Sequence, residues 1–107
     1  MDVPQMSVVE LAARLDSDPE LVVLDVRPAE ERKRAAIARS VHIPAHHLAS
    51  RLDELDPDAP TVVICHFGMR SMAAAAFLLE RDFDDVYSLT GGIDLYARDV
   101  APDLPRY

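Results

Sequence analysis

At 107 residues, half of them hydrophobic and 28% charged, the chain has room for one core and the make-up of an ordinary globular domain. Its formal net charge of −8 argues against nucleic acid or an anionic membrane surface as partners. No apolar run approaches membrane-spanning length, and a single cysteine cannot form an internal disulfide, which fits a reducing, cytoplasmic setting.

The opening MDVPQMSVVE has neither a positive n-region nor an apolar h-region, so no signal peptide is expected. A short first strand is placed near Gln5–Met6. Ser7 and Glu10 have the spacing of a capping box, and Leu11, Ala12 and Leu15 continue an amphipathic helix until Asp16-Ser17-Asp18-Pro19 stops it. Residues 21–26 form an apolar run that reads as a buried strand. Its carboxyl end carries Asp25 and Arg27, and Pro28 is suited to begin a helix. Charges at a buried edge usually pair and tie loops together, so Asp25 and Arg27 are expected to support the site.

Residues 29–39 carry Arg32, Lys33, Arg34 and Arg39 and read as a solvated helix face with a Glu30–Arg34 pair. The alternative is a docking patch for an acidic protein. Val41–Ile43 is a short strand ended by Pro44. Residues 46–55 read as a helix with Leu48, Leu52 and Leu55 on one face. His42, His46, His47 and His66 lack metal-ligand spacing, so no metal site is expected, and nothing calls for a cofactor.

Thr61–Arg81, TVVICHFGMRSMAAAAFLLER, is the informative stretch. Val62, Val63 and Ile64 make a strand buried on both faces, and an Ala-rich helix runs from Ser71 to Arg81. Between them lie Cys65, His66, Phe67, Gly68, Met69 and Arg70. A loop from a strand into a helix converges backbone N–H groups and the positive helix end on one point. A thiolate held there is expected to have a depressed pKa. A lone cysteine closing a strand is more often an inert small hydrophobe. Gly68, which permits a positive φ, and Arg70, which brings a fork of donors, are not needed merely to end a strand.

Val86–Leu89 is a further strand, followed at once by Thr90-Gly91-Gly92 and a short helix from Ile93. Gly91 and Gly92 fall on the same sheet edge as Cys65 and can wall a pocket with backbone. Residues 101–107 form a Pro-rich tail expected to pack extended along the surface. Alternating strands and helices predict a single α/β domain over residues 1–107, with its core at about 5–100. Its parallel sheet has four or five strands and helices on both faces.

Cys65-His66-Phe67-Gly68-Met69-Arg70-Ser71 resembles the C-x-x-G-x-R-S active-site loop of rhodanese-type sulfurtransferases. Leu24-Asp25-Val26-Arg27 with Glu31, Val41-His42-Ile43-Pro44 and Leu89-Thr90-Gly91-Gly92-Ile93 resemble three further family segments, in the family's order. The Ala35–Ser40 stretch departs from the family pattern, and Tyr96 stands where relatives usually carry tryptophan. The resemblance implies strand order 1-5-4-2-3 and a single rhodanese domain. It also implies transfer of a sulfane sulfur from thiosulfate or a persulfide through a Cys65 persulfide to a thiophilic acceptor. In that scheme the loop amides hold the persulfide, Arg70 orients the anionic donor, and His66 and Met69 face substrate. Cyanide serves as acceptor in vitro, a thiol or sulfur-carrier protein in the cell.

Two other functions compete. A cysteine phosphatase or arsenate reductase uses C-x5-R, whereas Cys65 to Arg70 is C-x4-R, one amide short. A non-catalytic binding module would not need the cysteine. A sulfurtransferase is further expected to show a small pocket floored by residues 65–70 and flanked by Asp25–Arg27 and Gly91-Gly92.

Overall fold

A computed structural model describes residues 2–107. Five parallel strands are ordered β1-β5-β4-β2-β3: β1 (Gln5–Met6), β2 (Val22–Asp25), β3 (Val41–His42), β4 (Thr61–Ile64) and β5 (Val86–Leu89). The helices are α1 (Val8–Ser17), α2 (Ala29–Arg32), α3 (Met69–Glu80) and α4 (Gly92–Asp99). The strand order is the one the resemblance implied. Among the described residues no helix is long and apolar enough to cross a membrane.

Parallel pairing buries both faces, and the two-residue period of the strands divides the apolar side chains between them. Val23, Val62 and Ile64 pack with Val8 and Leu11 of α1 and Ile93 and Tyr96 of α4. Leu24, Val63 and Cys65 pack on the other side with Ala74, Ala75 and Leu78 of α3. Tyr96 is buried in the first of these layers, where an aromatic was expected. The β2–β4 register pairs Asp25 with Ile64, and Val26 N–H donates to the Ile64 carbonyl at 3.1 Å. Val26 and Cys65 therefore leave the sheet at the same level, with Arg27 one residue beyond, on its carboxyl edge. Open α/β sheets bind ligands at that edge.

Three local expectations change. Ser7 caps α1 by accepting from Glu10 N–H at 3.0 Å, but Glu10 turns to Arg14 (3.6 Å) instead of closing the capping box. Residues 46–55 form two tight 3₁₀ segments, Ala45–Ser50 and Leu52–Glu54. Arg51 breaks them at φ −122°, and its guanidinium is held by Glu54. A 3₁₀ turn repeats every three residues, which suits a short connector burying Leu48 and Leu55.

The basic stretch is not a helix face. α2 ends at Arg32, and the buried Arg27 gathers the chain there by donating to the carbonyls of Glu31 (3.4 Å) and Ala35 (2.6 Å). The Glu31 carbonyl accepts Arg34 N–H at 2.9 Å as well, a tight turn that closes the helix. Arg32 reaches Asp25 and Ser40. Arg39, at φ +61°, donates to the carbonyls of Leu15, Asp18 and Leu21 around the end of α1. Arg34 lies over the Tyr107 ring rather than against Glu30. Two of the four cations are thus internal ties.

Candidate active site

Cys65 follows β4 directly and faces the α3 side of the sheet. Its Sγ accepts the N–H groups of Gly68 at 3.1 Å and Ser71 at 3.3 Å. These amides belong to the cap and first turn of α3, where N–H groups lack helical partners and the helix dipole is positive. The Ser71 hydroxyl lies 3.4 Å from the sulfur and 2.7 Å from the hydroxyl of Ser88 on β5. Both serines are buried. Ser88 had no signal in the sequence, since it reads there only as a polar strand residue.

The loop takes its shape from glycine. Gly68 has φ +102°, and a Cβ there would press within 3.3 Å of Leu89 O and Gly91 N. Gly92 has φ +63°, and its missing Cβ would overlap the carbonyls of Cys65 and His66. Those carbonyls accept Ile93 N–H (2.9 Å) and Asp94 N–H (3.1 Å). The first turn of α4 thus grips the outside of the cysteine loop, and Gly91-Gly92 forms the back of the loop more than a wall of a pocket.

Asp25 and Arg27 are both wholly buried, with Arg27 Nε donating to Oδ1 at 2.9 Å and Nη2 to Oδ2 at 2.6 Å. Burial works against the Arg27 charge, but hydrogen bonds to Asp25 and the Tyr107 hydroxyl outweigh it and hold the guanidinium above its ordinary value. Arg27 Nη1 donates to the Tyr107 hydroxyl at 2.7 Å, and that hydroxyl donates to Glu31 Oε1 at 2.9 Å. His42 Nε2 bonds the Arg27 carbonyl at 2.7 Å.

Arg70 is bound to Glu31 through a two-point pair, Nη1 to Oε2 and Nη2 to Oε1, both at 2.9 Å. The Arg70 hydrogen bonds, helped by the Tyr107 hydroxyl, hold the Glu31 carboxyl below its usual range, and Glu31 raises Arg70 in return. Arg70 remains within charge range of Cys65. His66 is stacked between Phe67 (centroids 3.9 Å apart) and Tyr107 (4.1 Å). Its Nε2 is the one buried side-chain polar atom without a partner among the described residues. Phe67 and Met69 project outward, 60% and 82% exposed.

The expected pocket, floored by residues 65–70 and flanked by Asp25–Arg27 and Gly91-Gly92, is not found at the sulfur. Cys65 is 1% exposed and lines none of three cavities in the molecule. One cavity, about 300 Å³, reaches the loop only through Arg70 and is otherwise lined by Ala45, Leu48, Ala49, Ala73, Ala74 and Phe77. The sulfur is held within the loop by the Gly68 and Ser71 amides and the Ser71 hydroxyl. Among the described residues no three of His, Cys, Asp and Glu converge as a metal cluster. Glu31 was visible only as the end of a motif. Tyr107, in a tail without periodicity, had no signal at all.

The rhodanese-like domain family model matches residues 7–99. A thiosulfate sulfurtransferase GlpE from Pseudomonas savastanoi pv. phaseolicola is 42% identical over 82 residues, covering 77% of this chain and 76% of that protein. GlpE from Pseudomonas aeruginosa is 41% identical over 80 residues, covering 75% and 72%. A rhodanese-related protein from Thermoplasma volcanium superposes with TM-score 0.84 at 29% identity, covering 92% of this chain and 95% of that one. The reduced Bacillus anthracis CoADR-RHD structure gives the same TM-score at 31% identity, covering 98% of this chain and 18% of that one.

Proposed function

The chain belongs to the rhodanese-like family and is a sulfurtransferase, and we propose that it moves the outer sulfur of thiosulfate through a persulfide on Cys65. The Cys65 thiolate attacks the sulfane sulfur, the S–S bond of the donor breaks, and sulfite leaves with the bonding pair. The terminal sulfur of the persulfide then carries the negative charge. A nucleophilic acceptor takes that sulfur and returns the thiolate, so one difficult transfer is divided into two. Cyanide would leave as thiocyanate.

One observation carries this reading: the sulfur sits at the focus of the Gly68 and Ser71 amides at the start of α3. Preoriented N–H donors stabilise an anion there without reorganising during reaction. Gly91 and Gly92 keep the loop in this shape from behind, and Asp25 and Arg27 tie the neighbouring strand end to it. Arg70 supplies the cation for the donor's sulfonate end. His66, Phe67 and Met69 form the outer rim, and the exposed Phe67 and Met69 suit contact with a thiol or sulfur-carrier protein as acceptor. A nucleophilic thiol that must stay reduced suits the cytoplasm.

The test is mass spectrometry of the intact protein. Thiosulfate without acceptor should add one sulfur atom, and cyanide should remove it. Cys65→Ser should fold yet neither gain mass nor turn over, because a serine hydroxyl is barely ionised near neutral pH. Turnover without the mass gain, or turnover by the serine variant, refutes the covalent route. Hydrolysis of an aryl phosphate in place of sulfur transfer would mark a phosphatase.

A further inference from the structure

The partly exposed cation of the loop is already engaged. Arg70 faces Glu31 with both terminal nitrogens at 2.9 Å, and Glu31 takes a third hydrogen bond from Tyr107. Arg27 has its own carboxylate in Asp25. Each guanidinium beside the sulfur is therefore matched by a carboxylate, and the local field offers little net positive charge. Against this stands a chain of net charge −8, which repels anions at longer range.

Thiosulfate carries two negative charges. To use Arg70 it must draw the fork away from Glu31 or bind beside a charge already balanced. A donor with a single negative charge meets less repulsion from Glu31 and gains less from Arg70's release. The Glu31 side chain is 22% exposed and that of Arg70 39%, so the pair is accessible to a competing anion and not locked in the core.

We propose that Glu31 is a specificity-determining residue: by holding Arg70 in a two-point pair, it sets the site's preference for singly charged over doubly charged sulfane donors. The inference rests on Cys65 sulfur transfer as described above. With thiosulfate, thiolate attack expels sulfite. With methanethiosulfonate, an anion of one charge, the same attack expels methanesulfinate. Both leave the same Cys65 persulfide with atoms and charge balanced, so only donor recognition differs.

Glu31→Gln removes the carboxylate charge while keeping size and an acceptor for Tyr107. Steady-state kinetics with the two donors should show kcat/KM for thiosulfate rising about fivefold relative to that for methanethiosulfonate, mainly through a lower KM. Discharge of a preformed persulfide to cyanide, also an anion of one charge, should rise in a single turnover no more than turnover of methanethiosulfonate does. A merely structural Glu31 would shift both donors together. Circular dichroism checks the fold, and Glu31→Ala, a truncation at a partly exposed position, should move the ratio the same way. An unchanged or falling ratio in the folded variants overturns the role of Glu31. Failure of the wild-type protein to gain a sulfur atom from thiosulfate would instead remove the Cys65 chemistry itself.

Discussion

Gly92→Ala tests whether the turn after β5 shapes the cysteine loop. At φ +63° an alanine incurs about 1–2 kcal/mol for left-handed backbone. Its Cβ would also overlap the carbonyls of Cys65 and His66, which are backbone and cannot rotate aside. Relief requires parting α4 from the loop, at the expense of the Ile93 and Asp94 hydrogen bonds, each worth about 1 kcal/mol. The sum is roughly 3–4 kcal/mol, a large share of a typical domain stability of about 5–15 kcal/mol. The midpoint of thermal unfolding should fall by on the order of 15 °C. Gly91→Ala is the comparison: it bears the same left-handed penalty at φ +75° and overlaps Leu95 in α4, but its Cβ meets no atom of the cysteine loop. Well below both midpoints, Gly92→Ala should lose most sulfur transfer and Gly91→Ala should keep it. A Gly92→Ala protein within about 1 kcal/mol of wild type would refute the reasoning, as would equal loss of activity in the two variants.

Removing the Asp25 carboxylate by Asp25→Ala leaves the wholly buried Arg27 charge without its main partner, and urea unfolding should show a loss of about 3–5 kcal/mol. A loss near that of an exposed ion pair would mean that Arg27 relaxes toward water. Arg70→Ala should raise KM for thiosulfate by about one to two decades, the equivalent of a charge-assisted contact of about 1.5–3 kcal/mol, and lower the unfolding midpoint only by the modest share of a partly exposed ion pair. Unchanged kinetics would remove Arg70 from donor binding. Because Arg70 holds the Glu31 carboxyl below its usual range, that pair adds stability fully present above the ordinary carboxylate pKa. This stability is lost as pH falls through the depressed value, so urea midpoints should drop between about pH 5 and pH 3. The drop should be smaller in Glu31→Gln, and identical pH profiles would show that the pair adds nothing.

The strands were legible because burial on both faces leaves no polar alternation, and Val62-Val63-Ile64 has no other reading beside a Pro-rich loop. The helices after them were legible through their caps and breakers. Residues 29–39 were misread for one reason. Arg32 and Arg39 look like solvated cations when only neighbours in sequence are considered. Their partners are the carboxylate of Asp25, the carbonyl of Ser40 and three carbonyls around the end of α1. A guanidinium with five donors can order a loop by collecting carbonyls, and no propensity scale contains that.

The cysteine loop could be read in advance because its chemistry is local: Cys65, Gly68 and Ser71 lie within seven residues, and their amides converge whenever a strand turns into a helix there. Arg70 could not. Its position at the loop is local, but its partner Glu31 arrives from α2, and Tyr107 from the far end of the chain. Seen alone, Arg70 is a free cation awaiting an anionic donor. Seen with Glu31, it is a balanced charge that a donor must compete for. Whether the cation is free or matched alters the donor the site prefers without altering a single loop residue. Spacing within the loop therefore identifies the reaction, while the reach of one carboxylate from α2 sets the conditions on which the donor enters.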